Sequence, residues 1–175
     1  MDRPRANRLG AFGFTAVLAL LGTSTIAREN TPAVATATAR RLQPPAPLAE
    51  TVSQVATRLV NVARAAAGLP AVVEDPRLDA AAAGHSADQA ARQTMTHSGA
   101  NGSTPGQRIQ SAGFGWQTWG ENVALGQRTT DEAVNAWLNS PPHRANILNP
   151  AFTSIGTASA VGPDGRIYWT MDLAA

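Results

Sequence analysis

The sequence predicts an α+β domain in which helices pack on a small antiparallel sheet. Three observations predict it. Segments with apolar residues at helical spacing follow one another, Gly and Pro signals separate them, and the chain closes on two strand-like runs flanking a turn sequence.

The first helix is expected from about Ala49 to Ala67. Val52, Val55, Leu59 and Val62 recur at helical spacing, and Ala56, Val60 and Ala63 widen the stripe. Gly68 and Pro70 end it. The second starts at Asp75-Pro76, an N-cap followed by proline at the first helical position. It runs to about Gln93, with Leu78, Ala82 and Ala90 facing inward. A short helix follows Thr104-Pro105, carries Arg108 and Ile109 and ends near Gly113. Phe114 to Gly126 reads as irregular chain entering a short strand around Asn122 to Leu125. Thr129 to Glu132 has the pattern of a capping box, opening a helix with Val134, Trp137 and Leu138 inward. Pro141-Pro142 is read as its stop. Strands over Ile155 to Val161 and Arg166 to Leu173 flank Gly162-Pro163-Asp164-Gly165, a hairpin signal.

Upstream of these elements lie two segments of other character. Residues 1–27 read as a secretory signal: Arg3, Arg5 and Arg8 precede the apolar run Ala11 to Gly22, and Thr25-Ile26-Ala27 offers a cleavage site. The apolar run is shorter than the roughly 20 residues of a membrane-spanning helix. No span is therefore expected after cleavage, and the destination is secreted, or periplasmic or cell-envelope. Residues 28–50, rich in Ala, Thr and Pro, read as a tether, and 51–175 as one domain.

Composition removes several functions. The chain has no cysteine, which excludes disulfides, thiolate metal sites and a thiol nucleophile. The isoelectric point near 10.4 comes from arginines in the leader and tether. From residue 51 onward eight arginines face nine carboxylates, a formal charge of −1. A nucleic-acid partner, which calls for basic residues clustered within the fold, is excluded.

There are three histidines. His85, within the second helix, reads as a surface or partly buried residue. His97 and His143 fall at the ends of elements, where sites are commonly built. Glu121 stands in a stretch with few other charges. Two imidazoles and a carboxylate can hold zinc or another divalent cation, or act as a proton-transfer pair. Spacing alone leaves the three as separate polar residues. No G-x-S-x-G elbow marks a serine nucleophile. Trp137 reads as core; Trp116 and Trp119 line a groove or cover one.

Six pieces in order resemble the CAP superfamily of cysteine-rich secretory, antigen-five and pathogenesis-related proteins. Gly120-Glu121-Asn122-Val123-Ala124 is similar to its GEN-[IV]-A motif. Trp137 to Arg144 resembles the bacterial W-x-x-S-P-x-H-R motif, continued by Ala145 to Pro150 and Ile155-Gly156. His97-Ser98, Arg108-Ile109 and Ala112-Gly113-Phe114 fit the upstream series. Asn61, Arg64 and Gly68-Leu69 fit its opening, and Tyr168 to Asp172 its closing strand. The likeness covers about Val55 to Leu173.

What the resemblance implies is a three-layer α-β-α sandwich with the sheet in the middle. It also implies a cavity in which His97, Glu121 and His143 come together, with His97 and His143 able to bind zinc or another divalent cation. The family's second acidic residue falls at Ser140 here, which leaves a triad, as in the Cys-free bacterial branch. Two activities are implied. One is an extracellular binding module for a metal, a lipid, a cell-envelope component or a partner protein. The other is a metal-assisted, protease-like hydrolase with Glu121 as base beside His97 and His143. A structural role in the envelope is the third expectation.

Overall fold

The computed structural model describes residues 49–175. The leader read over 1–27 and all but the last two residues of the tether lie outside the described residues. Nine elements follow in order: α1 (Val52–Ala66), β1 (Val73–Glu74), α2 (Pro76–Arg92), α3 (Pro105–Ser111), β2 (Trp119–Leu125), α4 (Thr130–Leu138), α5 (Pro141–Ile147), β3 (Ser154–Val161) and β4 (Ile167–Ala174).

The strands form one sheet in the order β1-β3-β4-β2. β4 is central and pairs antiparallel with β3 and β2, and both its faces are buried under helices. Trp169, Met171 and Leu173 join Ala56, Val60, Val134, Trp137 and Ile147 in a core with α1, α4 and α5. Alternation sends Tyr168, Thr170, Asp172 and Ala174 to the other face. There Ala174 packs with Leu78 of α2 and Ile109 of α3, and Thr170 accepts hydrogen bonds from Ser86 and Gln89. The fold is an α-β-α sandwich, with α1, α4 and α5 in one layer and α2 and α3 in the other.

Several expectations are corrected. The sheet is mixed rather than antiparallel, because β1 runs parallel to β3. Two residues are too short a strand to leave a sequence pattern. Pro141-Pro142 does not merely end α4; it opens α5, where proline is tolerated because the first turn needs no N–H partner. His143 therefore sits inside a helix. β2 starts earlier than read, at Trp119. A Cβ at Gly120 would lie 2.9 Å from the Phe152 ring, so glycine marks a close approach and not a loop. Thr129 accepts from the Glu132 amide, but the Glu132 carboxylate accepts from Arg128 N, so only half of the capping box forms.

The buried face of α1 is rotated from the expected stripe. Ser53, Ala56, Val60 and Arg64 are buried, whereas Val62 is 64% exposed. Arg64, 1% exposed, donates to the carbonyls of Pro70, Ile147, Asn149 and Phe152. Asn61 exchanges two hydrogen bonds with the Val72 backbone. The polar residues of α1 thus secure the loops around it, including the C-terminal end of α5.

α2 lies directly on the sheet at Gly156. A Cβ there would fall 2.2 Å from the Leu78 carbonyl carbon, so glycine lets helix and strand backbones touch.

Candidate functional site

The site forms where β2 makes the rim of the sheet. Glu121 and Asp172 are paired residues on β2 and β4, so both side chains leave the sheet toward α2 and α3. α3 brings Arg108 to the same place, α2 brings His85, and the loop after α2 brings His97.

Glu121 is buried, and its two oxygens are engaged separately. Oε2 accepts from Arg108 Nη2 at 2.5 Å, and Oε1 lies 2.7 Å from His97 Nδ1. Arg108 is itself held by the Ser103 carbonyl through Nη1. In its neutral form His97 carries its proton on Nδ1, toward the carboxylate, which leaves Nε2 with a free lone pair. The hydrogen bond that His97 donates to Glu121 also raises the His97 pKa above the usual imidazole range, against burial.

His143 reaches the site by another route. Asn122 Nδ2 donates to the His143 carbonyl, and Asn146 Nδ2 donates to Asn122 Oδ1 and to the Glu121 carbonyl. These amides pin the first two turns of α5 to the edge of β2. The His143 pKa is lowered, first by burial and then by the charge on His97. His143 forms no side-chain hydrogen bond to Glu121 or His97 among the described residues. The structure thus joins His97 to Glu121 directly and sets His143 beside them within electrostatic reach.

Two clefts open here. One of about 330 Å³ is lined by His97, Glu121, Trp119, Gly120, Pro105 and Asn146. The other, about 410 Å³, holds His143 and Ser140 with Met95, Val123, Leu125 and Trp137, and is mainly apolar. Trp116 and Trp119 meet edge to face at 6.3 Å, and Trp116 Nε1 donates to Gly106 O. Trp137 is core and donates to Val123 O.

Two members of the site escape a reading of the sequence. His85 is fully buried rather than superficial. Its Nε2 lies 2.7 Å from the Thr96 carbonyl and so carries the proton, and burial lowers its pKa. The spacing Leu78, Ala82, His85, Gln89 places it on the buried stripe of α2 and was the available signal. Asp172 is 0% exposed, and neither oxygen has a hydrogen-bond partner of good geometry among the described residues. Burial and then the Glu121 charge push its pKa well above the carboxylate range. Only the β2–β4 pairing, remote in sequence, shows what it faces.

The donor set fits a cation in part. His97 Nε2 and the neutral His143 ring are suitable ligands. No group of three or more His, Cys, Asp or Glu able to hold a metal occurs among the described residues. A cation held by two imidazoles would leave further positions to water or a ligand.

Comparison with known proteins agrees with this architecture. Residues 57–173 match a family model described as the cysteine-rich secretory protein family, CAP. The chain is similar to the protein YkwD of Bacillus subtilis, 36% identical over 133 residues, covering 74% of this chain and 52% of that protein. Among solved structures it is similar to an extracellular protein containing an SCP domain from Bacillus anthracis. That likeness has a TM-score of 0.64 at 31% identity, covering 70% of this chain and 40% of that one. It is similar also to an outer surface protein of Borrelia burgdorferi. There the TM-score is 0.63 at 25% identity, covering 69% of this chain and 89% of that one. The chain spans about half the length of YkwD. No helix among the described residues is long and apolar enough to cross a membrane.

Proposed function

Because the chain belongs to the cysteine-rich secretory protein (CAP) family, in its bacterial form, we propose that it is an exported binding module. Its ligand is held at His97 and His143, and the apolar cleft beside His143 takes a lipid or a partner's apolar side chain. The observation that carries this reading is the engagement of Glu121. With one oxygen on Arg108 and the other on His97, the carboxylate orients an imidazole. A general base needs a free lone pair directed at its substrate, and an arginine-paired carboxylate is poorly suited to that task. This weighs against the hydrolase with Glu121 as base.

His97 Nε2 and His143 are the atoms that would hold zinc or a similar divalent cation, and such an ion would supply a Lewis-acidic centre for a ligand's oxygen. The protein's own part is to present His97 in one tautomer, to keep His143 neutral and to flank both with apolar surface. Export is supported by the leader pattern of residues 1–27 and by the extracellular and outer-surface character of the two similar structures. The activity of the longer relatives does not pass to this chain by likeness alone.

Zinc titration by calorimetry at neutral pH tests the site. Saturable binding that disappears in a His97→Ala/His143→Ala double variant is the expected result. Equal heats in parent and variant would overturn the role of the two imidazoles. Extraction of the purified protein for lipid, with Ala136→Trp filling the apolar cleft as the comparison, tests the second half.

A further inference from the structure

We infer that the cleft at the opposite edge of the sheet, between α1, α2 and the β1–β3 pair, is a binding site for a hard divalent cation of the calcium class. The carboxylates of Glu74 and Asp79 and the hydroxyl of Thr157 hold it. The cleft measures about 310 Å³. Its polar side chains are Thr51, Ser53, Glu74, Asp79, Thr157 and Ser159, and all of them end in oxygen. A set of polar ligands that are all oxygen selects hard cations and disfavours zinc or copper, which seek nitrogen and sulfur.

Three further observations point the same way. Neither Glu74 nor Asp79 is ion-paired with an arginine or histidine among the described residues, whereas five of the other eight carboxylates there are. Two partly buried carboxylates thus stand together without a counter-charge. Burial and then the neighbouring Asp79 push the Glu74 carboxyl upward, the behaviour of a pair lacking a cation. Thr157, 2% exposed, has a hydroxyl oxygen with no hydrogen-bond partner, and it lines the same cleft. A buried hydroxyl left unpaired is costly, and a cation would complete it.

The scaffold is preformed. Asp79 Oδ1 accepts from Ser53 Oγ at 2.5 Å and from the Thr157 amide at 3.0 Å, and the Asp79 carboxyl also lies within hydrogen-bonding reach of Glu74. Four elements, α1, β1, α2 and β3, contribute Ser53, Glu74, Asp79 and Thr157 to this point. The site is independent of His97, Glu121 and His143, which belong to the β2 edge, so it does not rest on the function proposed above.

Calcium titration of the full chain at neutral pH tests the inference, by calorimetry and by thermal unfolding. The expected result is one saturable equivalent with affinity in the range of extracellular modules, about 0.1–1 mM, and a rise in melting temperature. The His97→Ala/His143→Ala variant is expected to keep both. Glu74→Gln and Asp79→Asn are expected to weaken binding by more than about tenfold, and Thr157→Val by less. Among the described residues the Glu74 side chain has no hydrogen-bond partner apart from the Asp79 carboxyl, so its variant decides the matter should Asp79→Asn fail to fold. No saturable binding up to about 10 mM would mean that the two carboxyls share only a proton, and the inference falls. Parent-like binding in Glu74→Gln, or loss of binding in the double histidine variant, would also overturn it.

Discussion

Glu121 and Asp172 face one another as paired residues of β2 and β4, one carboxylate tied to Arg108 and His97, the other carboxyl fully buried with no partner of good geometry. The Asp172 pKa is raised by burial first and by the Glu121 charge second. A carboxyl raised in the folded state contributes stability that is fully present below its ordinary value near 4, and that is lost as pH rises toward its folded value. Asp172→Asn keeps the shape of the protonated acid and removes this titration. The variant is expected to gain on the parent as pH rises from about 4 to 7. Urea unfolding of both proteins across that range checks it, and a constant difference would show that Asp172 does not titrate.

Glu121→Gln removes the charge that neutralises Arg108 and orients His97. Zinc affinity is expected to fall by about 10–100-fold, the usual effect of losing an outer partner of a metal-bound imidazole. Calorimetry reads it directly. An unchanged affinity would mean that His97 needs no orientation by the carboxylate.

Gly156→Ala places a methyl group against the backbone of α2 at Leu78. Backbone cannot rotate away as a side chain can. A loss of about 1–3 kcal/mol is expected, measured by denaturant unfolding. A neutral effect would show that α2 shifts on the sheet without cost.

Arg64→Lys keeps the charge but replaces a planar fork with three donors on one nitrogen. Four carbonyls accept from Arg64, and a lysine cannot reach all of them. The expected loss is about 3 kcal/mol, with faster amide exchange in residues 141–149 than elsewhere. Uniform exchange across the domain would argue that α5 is not held from this point.

Much of the architecture is legible in the sequence, because the helices begin at side chains that cap their own backbone. Thr51, Asp75, Thr104 and Thr129 each accept from an amide of the first turn, and all four starts are predicted to within a few residues. The closing hairpin is legible for a similar reason, since the turn and the alternation agree. Longer-range features are not. The parallel pairing of β1 depends on a partner some eighty residues away. Pro141-Pro142 carries the same letters whether it ends one helix or starts the next. Arg64 interrupts an apolar stripe and looks like a solvent-facing residue until its four carbonyl partners are in place.

The candidate site divides in the same way. Glu121, His97 and His143 are identified through motifs, and the structure brings Glu121 and His97 into contact. Arg108 is visible as a motif residue but not as the partner of Glu121. Asp172 supplies a second carboxyl from β4, directly opposite Glu121. No local pattern announces that pairing, since it arises from strand register.

Arg64 also does what a covalent cross-link does in many small exported domains. Its guanidinium closes chain loops of 83, 85 and 88 residues onto α1. A bridge made of hydrogen bonds needs no oxidant to form and no isomerase to correct it. With no cysteine in the chain, the domain's integrity is independent of redox potential. Its folding does not depend on thiol oxidation, and a thiol reductant added to the purified protein is expected to leave its melting temperature where it was.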